Sequence, residues 1–181
     1  MSNYFIIKMV RTMFVFTSRE RAIVQAKTSI EKYMKLAKGL TLEAGQRSIE
    51  VPLMPGVDED MRRWSFFMVL EHNTIVNRSI SAVISQLARN EPLSGAATID
   101  PKKDVMPSQS AGEEQLDLFR DSVGEHIAMV RGIGKLRGTK TKPHMIFGDF
   151  DAHKWSCMFS FHLKLHYNQA KHVINAVKAG Q

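Results

Sequence analysis

The sequence predicts an all-α fold, a four-helix bundle preceded by an N-terminal extension. Three observations carry that prediction. Four segments of roughly 20–32 residues repeat apolar side chains at three- and four-residue steps, the pattern of a helix with one buried stripe. Each segment is bounded by capping residues, glycine or proline rather than by strand signals. The chain has 181 residues, 44% apolar and 24% charged, long enough for one core and short for two. Residues 1–181 therefore read as a single domain with its bundle core at about 18–178.

The extension, Tyr4 to Phe16, is interrupted by Lys8 and Arg11, so it falls short of the ~20 apolar residues of a spanning helix. It ends in charges rather than in small residues suited to signal cleavage, and it is expected to pack on the bundle. The first helix runs from about Ser18 to Lys38, with Ile23, Ala26, Ile30, Met34 and Ala37 marking the period. Ser18 can cap it and Gly39 stops it. A loop or short strand pair follows, in which Ile49, Val51 and Leu53 alternate before the turn dipeptide Pro55-Gly56.

The second helix is expected over Asp58–Arg89. Asp58, Glu59 and Asp60 suit its positive end, Trp64, Met68, His72, Val76 and Val83 share a face, and Pro92 ends it. Residues 92–111 form a loop of about 20 residues, longer than the usual connection between packed helices and of a length that often covers a site. The third helix is expected to open at Ser110 or Ala111, where Ser110 and Glu113 have capping-box spacing, to carry Leu116, Phe119, Val123, Ile127, Val130 and Ile133, and to be closed by Gly138 and Pro143. The fourth helix runs from Phe150 or Asp151 to about Val177. Periodicity leaves up-down-down-up and up-down-up-down arrangements both open.

Charge narrows the function classes. Lys and Arg number 25 against 18 Asp and Glu, and residues 1–50 alone hold nine basic and four acidic side chains. This basic first helix lacks interleaved exposed aromatics and any recognition module, so a solvated face is expected rather than a nucleic-acid partner. An anionic small-molecule substrate is compatible with it. The lone Cys157 cannot form an internal disulfide, which fits a cytoplasmic chain, and a homodimer is compatible with the sequence.

The histidines carry the chemistry. His162 and His166 lie four residues apart, so both imidazoles leave the fourth helix on one side, ~6 Å apart along its axis. They share that side with Trp155, Phe159 and Val173, where a core is expected. His72 occupies the equivalent inward place on the second helix, between Met68 and Val76. Three imidazoles meeting in a bundle core make a metal site, and neutral nitrogen ligands suit zinc or nickel, with iron(II) or cobalt as alternatives. Three protein ligands leave a position for water or substrate, the pattern of a catalytic centre. Around them, Gln169 can face the cavity to orient an imidazole or donate to substrate, Tyr167 can be an edge donor, and His126 can be a further ligand or base. His144 and His153 are expected to be exposed or to cap, His172 to face outward, and Cys157 to be buried filling. Glu71 is expected to pair with Arg63 or a lysine at the bundle edge.

Two stretches, Phe66-Phe-Met-Val-Leu-Glu-His72-Asn and Trp155-Ser-Cys-Met-Phe-Ser-Phe-His-Leu-Lys-Leu-His-Tyr-Asn-Gln169, with the lead-in Lys142-Pro-His-Met-Ile-Phe-Gly-Asp-Phe-Asp-Ala-His-Lys-Trp155, resemble the DinB/YfiT-like superfamily of metal-dependent enzymes. The resemblance implies an up-down-down-up bundle with His72, His162 and His166 holding a divalent metal. It also implies a choice of activities: thiol-dependent S-transfer with a low-molecular-weight thiol, thiol-dependent isomerisation, or metal-dependent hydrolysis. This chain departs from the common pattern in having Tyr167 where a further histidine often stands, and Pro143-His144 in that order. A non-catalytic metal-binding bundle is the alternative of a different class.

Overall fold

The computed structural model describes residues 3–180. Helix α1 spans Asn3–Phe16, α2 Arg19–Ala37, α3 Leu42–Gln46, α4 Phe66–Ala88, α5 Glu114–Gly132 and α6 Ala152–Ala179. A small antiparallel hairpin, β1 (Lys142–His144) and β2 (Gly148–Phe150), precedes α6. The four long helices after α1 form the bundle: α2 packs on α6 and α5, and α4 packs on the same two.

The contacts fix the helix directions. Ser160 donates to Gln25 at 3.2 Å and Tyr33 donates to the Leu163 carbonyl at 3.0 Å, so α2 and α6 run in the same sense. Asn77 meets Ser122 and Ser81 meets His126, so α4 and α5 are also parallel. Gln169 donates to the Met61 carbonyl just before α4, whereas His72, further along the chain, reaches back to His166 and His162, so α4 opposes α6. The arrangement is up-down-down-up. Tyr33 ties three helices: its buried hydroxyl donates to α6 and accepts from Asn73 of α4 at 3.3 Å.

Helix ends follow local chemistry, and some differ from expectation. Ser18, Ser65 and Asp151 cap α2, α4 and α6 by accepting from Arg21, Met68 and Lys154. Thus α4 starts at Ser65, not at Asp58; residues 59–61 make one separate 3-10 turn and Trp64 precedes the helix. The capping box of Ser110 and Glu113 does not form. Ser110 bonds to Ser108 instead, and Glu114 turns back to accept from the Gly112 amide at 2.9 Å. The strand-like alternation at 49–53 is irregular chain that pairs with no strand, and the strand pair forms at 142–150. Gly39 has φ +73°, the left-handed angle that stops α2.

The extension is a helix, α1, in which Lys8, Arg11 and Thr12 recur at three- and four-residue steps. It buries Val10 and Phe14 against the bundle and leaves Tyr4, Phe5, Met9 and Phe16 exposed. Its Phe14 carbonyl accepts from His153 Nε2 at 3.2 Å, so His153 is buried rather than exposed. No described helix is long and apolar enough to cross a membrane.

Candidate metal centre

Helices α4 and α6 run side by side, and that places His72 beside His162 and His166. Ring centroids lie 5.3 Å (His72–His162), 4.6 Å (His72–His166) and 4.5 Å (His162–His166) apart. One nitrogen from each falls in a group whose members are all within 4.8 Å of one another. His72 and His166 are buried and His162 is half-buried, so the three form a buried cluster capable of coordinating a metal ion.

The outer nitrogens show how the rings are held. His72 Nδ1 lies 2.8 Å from the Val105 carbonyl, which can only accept, so Nδ1 carries the proton. That leaves His72 Nε2 as a bare, buried acceptor. Gln169 is fully buried; its amide nitrogen donates to the Met61 carbonyl at 2.7 Å, so its oxygen accepts from His166 Nδ1–H at 2.9 Å. His162 Nδ1 is buried without a hydrogen-bond partner. Two of the three rings thus have their tautomer set by a second residue, which is how metal-binding imidazoles are normally supported.

Burial also sets the charge. It pushes His72 down to about 3, with the neighbouring His166 adding to the effect. It pushes His166 down to about 4, against the opposing pull of the Gln169 hydrogen bond and the Asp58 carboxylate. It holds His162 well below the ordinary imidazole range, helped by His166 and His72. All three are neutral near pH 7, the form that binds a metal. Bare buried acceptors that cannot be relieved by protonation fit a divalent transition ion.

The centre opens onto a cavity of ≈ 880 Å³ whose walls are mostly apolar, built from α1, α4, α6, the 92–111 loop and the β1–β2 hairpin. The loop is fastened to α4 at both ends. Gln86 and Ser94 exchange two hydrogen bonds, and Glu71 accepts the Ser108 amide at 2.7 Å. Glu71 therefore holds the loop over the site, while Arg63 pairs with Glu50.

The remaining candidates separate clearly. Gln169 orients His166. Tyr167 packs edge-on against Tyr33 at 5.4 Å and does not line the cavity. His126 also stands away from it: the ring lies 3.4 Å over Phe159 and donates through Nδ1 to Ser81 Oγ, whose own proton goes to Asn77. Cys157 is buried, and burial pushes its thiol up to about 12. His144 caps the hairpin turn by accepting from the Ile146 amide at 3.1 Å.

Trp64, expected on the His72 face, covers the histidines from just outside α4, its ring centroid 4.9 Å from that of His72. Two contributors have no signal in the sequence as read. The Val105 carbonyl is backbone and has no residue signature. Asp58, read as a helix-start charge, supplies the cavity with its one carboxylate and acts on His166. Comparison with family models, curated proteins and solved structures finds no match. The up-down-down-up bundle with a buried three-histidine cluster is nevertheless consistent with a DinB/YfiT-like metal-binding fold.

Proposed function

We propose that this protein is a metal-dependent enzyme of the DinB/YfiT-like kind, a transferase that places a small thiol on an apolar electrophile. The observation that carries the proposal is the three-imidazole cluster with neutral, oriented rings facing a large cavity. His72, His162 and His166 would hold the ion, zinc or nickel first by donor type, with iron(II) or cobalt as alternatives. Bound there, the ion would lower the pKa of a thiol and hold it as thiolate. Val105 and Gln169 keep protons on His72 Nδ1 and His166 Nδ1, so the other nitrogens stay turned toward the centre. Trp64, Met61 and the fastened loop shield the site from water on one side, and the apolar walls suit an uncharged reacting group.

Hydrolysis is the second reading, and Asp58 favours it. A carboxylate on the cavity wall near His166 is what a water-activating site needs as a base. The two readings separate in one assay on metal-loaded protein. Thiol consumption with a chloro-dinitroarene electrophile, across several low-molecular-weight thiols, is expected to depend on both metal and thiol. Asp58→Asn is expected to leave that rate within about threefold. Turnover of ester substrates without any thiol, lost in Asp58→Asn, would replace transfer by hydrolysis.

A further inference from the structure

The cavity extends well beyond the histidines. Along α4 it follows His72, Val76, Ile80 and Val83, three turns or ~16 Å. Along α6 it follows His162, Met158 and Trp155, and the opposed helix directions bring Trp155 to the Val83 end. Ile7 and Val10 of α1 and Phe147 of the hairpin close the outer side. Besides the histidines and Lys142, Asp58, Ser79, Thr98 and Lys102 are the polar side chains of the lining, too few to serve a polyhydroxylated molecule, whose unpaired groups would each cost a few kcal/mol. An extended hydrocarbon or aromatic body has no such cost.

The end away from the three histidines also carries polar groups. Lys142 and His144 sit two residues apart on β1, so their side chains leave the strand on the same face, and both line the cavity. Lys142 is half-buried. Its ammonium donates to the Ala97 carbonyl at 2.5 Å and stands 5.7 Å from the centre of the Trp155 ring. Among the described residues it forms no ion pair. His144 uses Nδ1 as an acceptor, which puts its proton on Nε2 and makes a second donor. A cation with no counter-ion, beside a neutral donor, at the end of an apolar channel is a receptor for one anionic group. Trp155 lies seven residues before His162, ~10 Å along the helix.

We propose that the substrate is an amphipath of the fatty-acid type, an elongated apolar body with a single carboxylate held by Lys142 and His144. The body lies along α4 and α6, and its reactive part reaches the three histidines from about 10 Å away. As a statement of substrate class this rests on the enzymatic reading above. The binding it requires does not need the metal.

The probes are cis-parinaric acid, a fluorescent straight-chain carboxylate, and its methyl ester. Each is titrated into the whole chain, metal-loaded and chelator-treated. Saturable binding of the acid is expected in both states. Lys142→Met is expected to weaken the acid by about tenfold or more, the loss of a charge-assisted contact, and to leave the ester unchanged. Ile80→Trp, which fills the channel, is expected to weaken both, with circular dichroism confirming the fold. Absence of saturable binding by folded wild type overturns the proposal. So does acid binding that survives Lys142→Met unaltered. If discrimination by Lys142 is found in a protein that retains no metal, the ligand class stands and the metal-enzyme reading falls. If metal and thiol turnover are found without probe binding, this inference falls alone.

Discussion

Replacing Gln169 by leucine removes two hydrogen bonds with little change of volume, and the structure sets what should follow. Gln169 is fully buried between His166 Nδ1–H and the Met61 carbonyl, at 2.9 and 2.7 Å. Both groups would be left bare, and each buried unpaired group costs about 1–3 kcal/mol. The metal-free protein should therefore lose a few kcal/mol of stability. The second consequence is separate. Without an acceptor at Nδ1, His166 is free to move its proton to the other nitrogen and turn, and loss of such a support weakens a metal site by about 10–100-fold. Competition against a chromogenic chelator reads that affinity directly, and chemical denaturation with and without metal reads stability. The metal-loaded protein should lose more stability than the metal-free one, by the affinity change of about 1.4–2.8 kcal/mol. Gln169→Glu keeps the acceptor and should restore most of the affinity, though not the bond to Met61. Wild-type metal affinity in Gln169→Leu, with stability lost, would refute the positioning role.

Two further outcomes test the packing. His126 is buried on Phe159, and burial pushes it down to about 3 from an ordinary value near 6.5. Below pH 6.5 the unfolded chain binds a proton there that the native chain refuses, so stability falls with pH until the native value is reached. Between about pH 8 and pH 5 this one group should remove about 2 kcal/mol, and urea unfolding of His126→Gln should show a profile flatter by that amount. An unchanged slope would mean that the ring is not held neutral. Gly45→Ala would drive a Cβ into the Phe67 ring, which is buried in the core. A loss of about 1–3 kcal/mol is expected, and a neutral substitution in thermal melts would contradict the tight approach of α3 to α4.

The bundle was legible because its four helices each keep polar residues on one side. Periodicity therefore locates α2 and α6 closely, α4 apart from its start, and the middle of α5, which begins later and ends earlier (Glu114–Gly132) than its expected stops at Ser110 and Gly138. The start of α4 was misread because a run of acids at 58–60 is a statistical signal, whereas the Ser65 hydroxyl accepting from Met68 is the actual cap. His162 and His166 were found by local spacing. His72 required the further step that a histidine on an apolar face needs a partner, and the meeting of α4 with α6 is a tertiary fact that supplied it. What stayed hidden depends on other chain segments: a backbone carbonyl at Val105, the Phe14 carbonyl that buries His153, and the ring under His126. The helix at Asn3–Phe16 is harder to read: Lys8, Arg11 and Thr12 keep helical spacing, but apolar residues fill the rest of its circumference and only Val10 and Phe14 among them are buried against the bundle.

The central claim is that His72 from α4 joins His162 and His166 from α6 in one coordination sphere. Elemental analysis of the purified chain, wild type beside His72→Ala, tests it most directly after each has been exposed to zinc or nickel and freed of loose ions. Wild type should retain a stoichiometric transition ion and the variant should lose most of it while its helical circular dichroism persists. Equal metal in the two proteins, or none in the wild type, would contradict the claim.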